Sequence, residues 1–175
     1  MKYGVLDKRS ILELIEGPKP LVSEYLDLDT QLQPNGFDLT LREVRCFTSA
    51  GGTGPGGAKA TLSESSAMSF GSDGYLDLTE GAYVITLNEI VSLPPDLMAL
   101  ARPRSSLLRS GVAIHTAVWD AGYTGRSQAL LAVYNPMGYR VARDARLLQM
   151  VFTYLARPVP VDDGYKGRFL GENID

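Results

Sequence analysis

Between residues 76 and 155 the chain alternates short apolar runs with glycine- and proline-containing turns, and this alternation restricts the possible fold more than any other feature. No amphipathic pattern in this stretch extends beyond two helical turns, so short strands joined by turns are favoured over packed helices. The 18 glycines and 10 prolines fit the same interpretation. With 45% hydrophobic residues the chain can form a core, and residues 1–175 suit a single domain.

A helix is expected at the N-terminus, over residues 7–16. Asp7 is a typical N-cap residue, and Gly17 followed by Pro18 is a typical helix end. The apolar positions that we expect to be buried are Ile11, Leu12, Leu14 and Ile15. The chain is therefore predicted to begin with a short amphipathic helix.

Three further segments can be assigned from pattern and composition. Residues 34–48 predict a turn followed by a strand. Residues 49–75 are rich in Gly, Ser and Ala, which indicates a long surface loop or two short strands with a flexible crossing. From residue 159 the tail is polar and aromatic, and we expect it to be mobile until a ligand binds.

Charge, cysteine content and hydropathy exclude several classes of protein. A net charge of −3 gives no reason to expect nucleic acid or an anionic membrane as a partner. The single cysteine, Cys46, excludes an internal disulfide and is interpreted as a small core side chain. No run approaches the roughly 20 apolar residues of a membrane span, and no hydrophobic signal region begins the chain. We therefore expect a cytoplasmic protein.

Residues 102–111 combine three arginines with three serines in a chain of net negative charge. Pro103 precedes a short apolar-spaced stretch and Gly111 ends it, which predicts one or two helical turns. A helix N-terminus carries free N–H groups and the positive end of the helix dipole, and arginine donors match phosphate oxygens. The segment is therefore either an anion site or an ordinary solvated surface helix.

The next segment predicts a hairpin that carries one carboxylate. Residues 115–125 run from apolar positions into Asp120 and then through two glycines, and residues 129–135 predict a buried strand. Asp120 either caps the turn at Ala121 and Gly122 or takes part in catalysis. An anion-binding turn followed by a lone carboxylate suggests a phosphate ester with an acid poised over it.

The runs PRSSLLRSGVAIH and DAGYTG resemble the shared core of the trimeric dUTPases and dCTP deaminases. Four further segments occur along the chain in the same order as in that family, at residues 35–41, 78–85, 146–152 and 165–171. The last of them is similar to the archaeal form of the family's C-terminal lid. The resemblance covers the chain from about residue 35 onward. It implies a mainly β, distorted jelly-roll (β-clip) domain and a homotrimer whose subunits share each active site.

The resemblance implies a role for each matched residue around the phosphates. Asp120 would activate the attacking water. The phosphate contacts would come from Arg104, Ser105, Ser106 and Gln149, and Arg109 would hold either the phosphates or the neighbouring subunit. Mg²⁺ would be held by the substrate phosphates and water rather than by a protein cage, because the sequence offers no dense carboxylate cluster.

The resemblance assigns the remaining matched residues to the base, the sugar and the lid. The hairpin of residues 111–119 would read the base through its backbone, at His115, Thr116 and Ala117. Tyr123 would pack under the deoxyribose and exclude a 2′-hydroxyl. A lid in residues 159–175 would close with Lys166 or Arg168 near the γ-phosphate and Phe169 over the base.

Four of these positions have a second, structural interpretation. The His115 side chain, the single histidine, is interpreted as structural, and it excludes a multi-histidine metal site. Asp38 either holds a turn or faces a metal-bound water, and we favour the structural role. Gln149 lies in an apolar run, where phosphate or neighbouring backbone would have to satisfy its amide. Phe169 either packs within an ordered tail or stacks on a base.

Position 130 separates the two activities of the family. The deaminases carry a glutamate ten residues after the aspartate that matches Asp120, and this chain has Leu130 there. Deamination at C4 requires a group that moves protons, which leucine cannot do. The sequence therefore favours dUTP diphosphatase activity, which releases dUMP and pyrophosphate. The alternatives are a dCTP deaminase, monofunctional or bifunctional, with its proton shuttle elsewhere, and a nucleotide-binding relative without turnover.

Overall fold

The computed structural model describes residues 4–56 and 59–174, and short strands dominate it, which confirms the mainly β fold. The helices in this part of the chain are α1 (Lys8–Ile15), α2 (Leu28–Gln31), α3 (Ser105–Arg109) and a 3₁₀ turn (Val161–Asp163). The strands are β1 (Val22–Ser23), β2 (Leu32–Gln33), β3 (Gly36–Phe47), β4 (Ser65–Ala67), β5 (Tyr75–Leu78), β6 (Gly81–Ser92), β7 (Leu97–Pro103), β8 (Val112–His115), β9 (Thr124–Val133), β10 (Tyr139–Ala142) and β11 (Arg146–Tyr154). None of the helices described is long and apolar enough to cross a membrane.

The main sheet runs in the order β7–β11–β3–β6–β9–β8, with antiparallel neighbours. Its two ends approach each other because α3 leads directly from β7 to β8, and because Trp119 pairs with Ala99 of β7. Two backbone hydrogen bonds form this bridge, from Ala99 N–H to Trp119 O at 2.9 Å and from Trp119 N–H to Ala99 O at 3.1 Å. The sheet is therefore a nearly closed, distorted jelly roll, as expected.

Strand β3 lies in the middle of the core and positions one part of the candidate site. Residues 36–41 are all buried, so both faces of this part of the strand are covered. Phe37 of β3 and Phe152 of β11 are fully buried, and each such side chain contributes about 1.5–3 kcal/mol relative to exposure. The polar residues of this segment, Asp38 and Thr40, are each 2% exposed and therefore need partners inside the protein.

The N-terminal helix forms where the sequence predicts it. The Asp7 carboxylate caps α1 by accepting a hydrogen bond from Ser10 N–H at 2.8 Å. Among the four apolar positions, Ile11 and Ile15 are buried, whereas Leu12 and Leu14 are half-buried. The helix ends at its Glu16 C-cap, directly before Gly17.

The predicted hairpin at residues 115–125 is wrong in its boundaries. β8 ends at His115 and pairs with the far end of β9, where His115 faces Leu130, and residues 116–123 form a wide connection between the two strands rather than a tight turn. The physical reason is the bridge between Trp119 and Ala99, which uses this segment to close the sheet against β7. The buried strand predicted from residue 129 begins earlier, at Thr124.

The glycine-rich residues 49–75 contain short paired segments rather than one open loop. Gly52 and Thr61 exchange two backbone hydrogen bonds of 2.9 Å, and β4 pairs with β3. Residues 57 and 58, within the glycine run, lie outside the described residues. Of the two alternatives left by the sequence, the paired form is the one observed.

Candidate active site

The arginine-rich segment after β7 forms the predicted helical turn. Arg104 occupies the N-cap position of α3 in an extended conformation, and Gly111 follows the helix with a φ of 73°, a conformation that favours glycine. Among the described residues no side chain caps this N-terminus, and Ser105 and Ser106 are exposed. The turn therefore presents its first N–H groups and two hydroxyls beside the Arg104 side chain. Arg109 folds back on the same helix, with Nη1 3.3 Å from Ser105 O.

Arg104 belongs to a group of charged side chains around a buried carboxylate. Arg104 Nη1 donates to Oδ2 of Asp38, and Arg146 Nη1 lies 3.4 Å from the same oxygen. The Asp38 side chain is 2% exposed, whereas those of Arg104 and Arg146 are 32% and 36% exposed. Burial raises the pKa of Asp38, and the two guanidinium groups oppose that shift. One buried carboxylate thus pairs with two guanidinium groups at the surface, and Arg146 Nη1 also donates to Thr30 O.

Gln149 of β11 lies beside this group. The strand register pairs it with Asp38 of β3 and with Arg102 of β7. Gln149 is half-buried, and none of the described residues forms a hydrogen bond with its amide. A Cβ at Gly36 would clash with Met150 O and lie 3.0 Å from Gln149 Nε2, so the glycine is required by the close approach of β11. Asp38, Arg104, Arg146 and Gln149 are termed the arginine cluster below.

Other predicted site residues line a cavity of about 490 Å³. Its wall carries the aromatic side chains of Trp119, Tyr123, Tyr165 and Phe169, together with Ala117, and it is termed the aromatic cavity below. The glycine-rich segment contributes Gly51, Gly52, Thr53 and residues 60–63. The structure therefore brings Ala117, Tyr123 and Phe169 together in one cavity wall, and the sequence gave no indication that the glycine-rich segment encloses the same space.

A chain of hydrogen bonds orders one side of the aromatic cavity. Trp119 Nε1 donates to Ser127 Oγ at 2.6 Å, and the Tyr123 hydroxyl lies 2.9 Å from the same Ser127 oxygen. The Tyr123 hydroxyl also donates to Glu172 Oε1 at 2.8 Å. Burial raises the pKa of Tyr123 and that of Glu172. A Cβ at Gly125 would lie 2.5 Å from the Tyr123 hydroxyl. The second glycine of the DAGYTG motif is therefore required by the position of the tyrosine ring.

Asp120 lies on the loop between β8 and β9, next to Trp119 of the aromatic cavity. Its backbone oxygen accepts a hydrogen bond from Tyr123 N–H at 3.1 Å, so the predicted turn is formed. Its side chain is exposed and has no hydrogen bond or ion pair with any described residue. Because the carboxylate does not cap the turn, it is free to contact a reactant.

The remaining hairpin residues lie near the aromatic cavity without lining it. His115 is exposed at the end of β8, and its Nε2 lies 3.3 Å from the Tyr134 hydroxyl. Thr116 is half-buried. Within the described cavity wall neither residue contributes, in contrast to Ala117.

The C-terminal tail packs against β9 of the same chain. Gly171 N–H donates to Thr124 O at 2.7 Å, and Arg126 N–H donates to Glu172 O at 2.9 Å. Arg126 is 3% exposed, and its Nε donates to Asn173 O at 2.9 Å. The sequence gave no role for Arg126, and the structure shows that it fastens the tail.

The three predicted tail residues point to different partners in this arrangement. Phe169 lines the aromatic cavity. Lys166 Nζ donates to Asp162 O within the tail, and Arg168 Nη1 donates to Ala60 O of the glycine-rich segment at 3.3 Å. The tail thus brings one of the three residues to the cavity and engages the other two with backbone oxygens.

The arginine cluster and the aromatic cavity lie at different places along β7. The backbone bridge puts Trp119 beside Ala99, and Arg104 follows Ala99 by five residues. At about 3.3 Å per residue in an extended chain, this separation is roughly 16 Å. One chain therefore places Asp120 away from the arginine cluster, although both were predicted to act on one substrate.

The described residues offer no protein cage for a metal ion. Residues 4–56 and 59–174 contain no group of three or more His, Cys, Asp or Glu side chains placed to hold one. The carboxylate within the arginine cluster, Asp38, is engaged by Arg104 and Arg146. This donor set suits a cation that is bound mainly by a phosphate ligand and water.

Sequence reasoning missed two residues of this region. Arg146 shares the Asp38 carboxylate with Arg104, and its position as the first residue of a matched segment was a usable signal. Glu172 reaches Tyr123 across 49 residues of sequence, and no local pattern indicates that contact.

The sequence is similar to those of known proteins over most of its length. The family model described as dCTP deaminase-like matches residues 5–155. A protein of Methanococcoides burtonii named probable deoxyuridine 5'-triphosphate nucleotidohydrolase is 43% identical over 170 residues, covering 97% of this chain and 99% of that protein. A protein of the same name from Archaeoglobus fulgidus is 44% identical over 172 residues, covering 98% of this chain and 99% of that protein.

A solved structure resembles the fold as well. The 2'-deoxycytidine 5'-triphosphate deaminase of Agrobacterium tumefaciens superimposes with a TM-score of 0.66 at 26% sequence identity. The match covers 88% of this chain and 50% of that chain, so the present chain spans about half the length of the deaminase chain. The similarity therefore extends to the fold over most of the present chain.

Proposed function

The chain belongs to the dCTP deaminase-like family, and within it we propose that the protein is a dUTP diphosphatase that hydrolyses dUTP to dUMP and pyrophosphate. The single observation that carries the choice of hydrolysis over deamination is Leu130, which stands where the resemblance expects the deaminase glutamate. Leu130 is half-buried in β9, and its register partners are Val84 and His115. Leucine and valine have no group that can move a proton, and the His115 side chain is exposed, with its Nε2 3.3 Å from the Tyr134 hydroxyl.

The arginine cluster and α3 bind the triphosphate in this proposal. Arg104 contributes a guanidinium fork, and the exposed Ser105 and Ser106 contribute hydroxyl and backbone donors. The Gln149 amide, which has no partner among the described residues, supports the interpretation that a phosphate oxygen satisfies it. Charge that develops on the leaving pyrophosphate is stabilised by the same donors.

The aromatic cavity binds the nucleoside. Tyr123 packs under the deoxyribose and leaves no room for a 2′-hydroxyl, while Phe169 covers the base. The backbone of the segment containing His115, Thr116 and Ala117 pairs with the uracil edge. The presence of Tyr123, Phe169 and Ala117 in one cavity wall supports this assignment.

Asp120 acts as the general base. It orients a water molecule and accepts its proton as that water attacks the α-phosphorus in line with the leaving pyrophosphate. The exposed carboxylate without a protein partner supports this role, because a capping aspartate would be occupied. Mg²⁺, when bound to the triphosphate, would supply positive charge beside the phosphate oxygens. Arg104, Gln149 and water would contact the remaining phosphate oxygens.

The active site is completed between subunits of a homotrimer. The separation along β7 supports this, because the backbone position that pairs with the segment before Asp120 and the position of Arg104 are roughly 16 Å apart in one chain. The arginine cluster of one subunit then faces the Asp120 loop of a neighbour, and Arg109 contacts that neighbour or the phosphates.

Residues 159–175 close as a lid, with Lys166 and Arg168 turning to the γ-phosphate. The substrate, a soluble nucleotide, is met in the cytoplasm.

Product identity tests the proposal. The protein is incubated with dUTP and with dCTP separately, and pyrophosphate and ammonia are measured. We expect pyrophosphate and dUMP from dUTP, and no ammonia from dCTP. Stoichiometric ammonia would replace the assignment with a deaminase, with Glu172 in the cavity wall as the first carboxylate to test. Binding without either product would indicate a nucleotide-binding protein.

A further inference from the structure

A buried acid lies in β6 and takes no part in the proposed chemistry. Glu89 is 1% exposed, and none of the described residues forms an ion pair with it. Its Oε1 accepts hydrogen bonds from Gln31 Nε2 at 2.7 Å and from Thr40 Oγ1 at 2.6 Å, and its Oε2 accepts one from Thr40 N–H at 2.9 Å. A buried carboxylate without a cation is costly, so the contacts that it makes call for an explanation.

Both partners of Glu89 lead to Asp38. Gln31 Nε2 also donates to Asp38 O, at 2.8 Å. Thr40 follows Asp38 by two residues in β3, so the two side chains lie on the same face of the strand. Glu89 therefore fixes the β3 backbone directly after Asp38, at the Thr40 N–H by its own hydrogen bond and at the Asp38 carbonyl through Gln31.

The orientation of Gln31 is itself determined. Its Oε1 accepts hydrogen bonds from Leu26 N–H at 2.8 Å and from Asp27 N–H at 2.9 Å. The amide cannot turn over without losing both bonds. Its donor side must therefore face Glu89 and Asp38.

Asp38 in turn fixes the arginine that the proposed function places on phosphate. Its Oδ2 accepts from Arg104, and Arg146 lies 3.4 Å from the same oxygen. Because Asp38 is buried in a packed strand, a shift of its backbone would move the Arg104 guanidinium at the surface. A continuous set of contacts thus runs from Glu89 through Asp38 to Arg104.

We propose that Glu89 is a positioning residue for phosphate binding: its carboxylate holds the β3 segment that carries Asp38, and Asp38 holds Arg104 where it meets the phosphate chain. This inference rests on the proposed function, which makes Arg104 a phosphate ligand. Glu89 touches no substrate. Its effect is transmitted to the arginine cluster and not to the aromatic cavity.

The sharpest test is Glu89→Gln, which keeps the shape of the side chain and replaces one oxygen with an N–H₂ group. Two donors approach Oε1 and a third approaches Oε2, so in either orientation the new amide places N–H against an N–H donor. The matched control is Tyr83→Phe in the same strand. That change also removes a hydrogen bond of a buried side chain, 3.0 Å from Tyr83 OH to Thr79 O, without contacting Asp38.

Binding of inorganic pyrophosphate and of deoxyuridine is measured by calorimetry on the intact wild type and both variants. We expect Glu89→Gln to weaken pyrophosphate binding by about tenfold, as for a displaced charge-assisted hydrogen bond, with deoxyuridine binding unchanged. The control should leave both affinities unchanged. Equal losses for both ligands, or no loss for pyrophosphate, would overturn the proposal.

A double-mutant cycle with Arg104→Ala separates positioning from general loosening of the structure. If Glu89 acts through Arg104, adding Glu89→Gln to Arg104→Ala changes pyrophosphate affinity by less than about twofold. Additive losses would contradict the proposal. Should Glu89→Gln fail to fold, Thr40→Val removes the Oγ1 donor and retains the backbone one, and it should show the same non-additivity. If the wild type releases no pyrophosphate from dUTP, the proposed function fails, while the cycle still decides the role of Glu89.

Discussion

The arginine cluster and the aromatic cavity hold their side chains by different forces. In the cluster, one buried carboxylate holds two partly exposed guanidinium groups by charge. In the cavity, hydroxyl and indole groups are fixed by hydrogen bonds of 2.6–2.9 Å among packed rings. Guanidinium groups can take a phosphate as an additional partner without repacking, whereas the cavity selects by shape. The contrast indicates that phosphate affinity and base selection can be altered separately.

The largest effect is expected at Asp120, which belongs to neither region. Asp120→Asn keeps the shape of the side chain and cannot accept a proton from water, so dUTP hydrolysis should fall by about a thousandfold. Nucleotide binding, measured by calorimetry, and the thermal unfolding midpoint should be unchanged, because this side chain has no partner among the described residues. Near-normal turnover would show that the two regions suffice without this carboxylate.

Removal of the tail should have the next largest effect. A chain that ends after residue 161 loses Phe169 from the cavity wall and the two cations assigned to the γ-phosphate. Turnover should fall by about a hundredfold because the substrate is less well positioned and water is not excluded. Light scattering should still show a trimer, since the core sheet is intact. Full activity without the tail would contradict the lid, and a monomeric wild type would contradict the assembly.

A pair of substitutions tests whether the two regions are separable. Arg104→Ala should weaken pyrophosphate binding by about tenfold and leave deoxyuridine binding unchanged. Tyr123→Phe removes the hydroxyl that joins Ser127 to Glu172, and it should weaken deoxyuridine binding by a few-fold, about the value of one neutral hydrogen bond, without affecting pyrophosphate. Calorimetry with both ligands measures the four values. If each variant weakened both ligands equally, the contrast would not hold.

The smallest effect concerns the attachment of the tail as pH changes. Burial raises the pKa of Glu172 above its ordinary value of 4.5, so packing of the tail favours the protonated carboxyl. Its contribution is fully present below pH 4.5 and is lost as pH rises through the raised pKa. Hydrogen-exchange protection of the Gly171 and Arg126 amides should therefore decrease over that interval. Glu172→Gln should remove the dependence, and its persistence in that variant would assign it to another group.

Local signals account for what the sequence predicted. The α1 helix, α3 and strand β3 were expected because a cap, a helix end or an apolar run lies within a few residues of each. The Asp38 partners could not be predicted, because Arg104 lies 66 residues away and Arg146 lies 108 residues away. The predicted hairpin boundaries were wrong for a related reason. Trp119 pairs with Ala99 of β7, and that pairing cannot be predicted from the spacing of residues along the sequence.

Because of the bridge between Ala99 and Trp119, β7 fixes the distance between the Asp120 loop and Arg104. One end of this strand is bonded to the Asp120 loop and the other leads into Arg104, and β11 holds every residue between them in register. Ligand binding cannot shorten this distance without breaking backbone pairing. Any tightening around a substrate must therefore come from the tail or from rotation of one subunit against another. Inserting a single residue into β7 would turn its outward side chains inward, so the spacing can change only in steps of two residues.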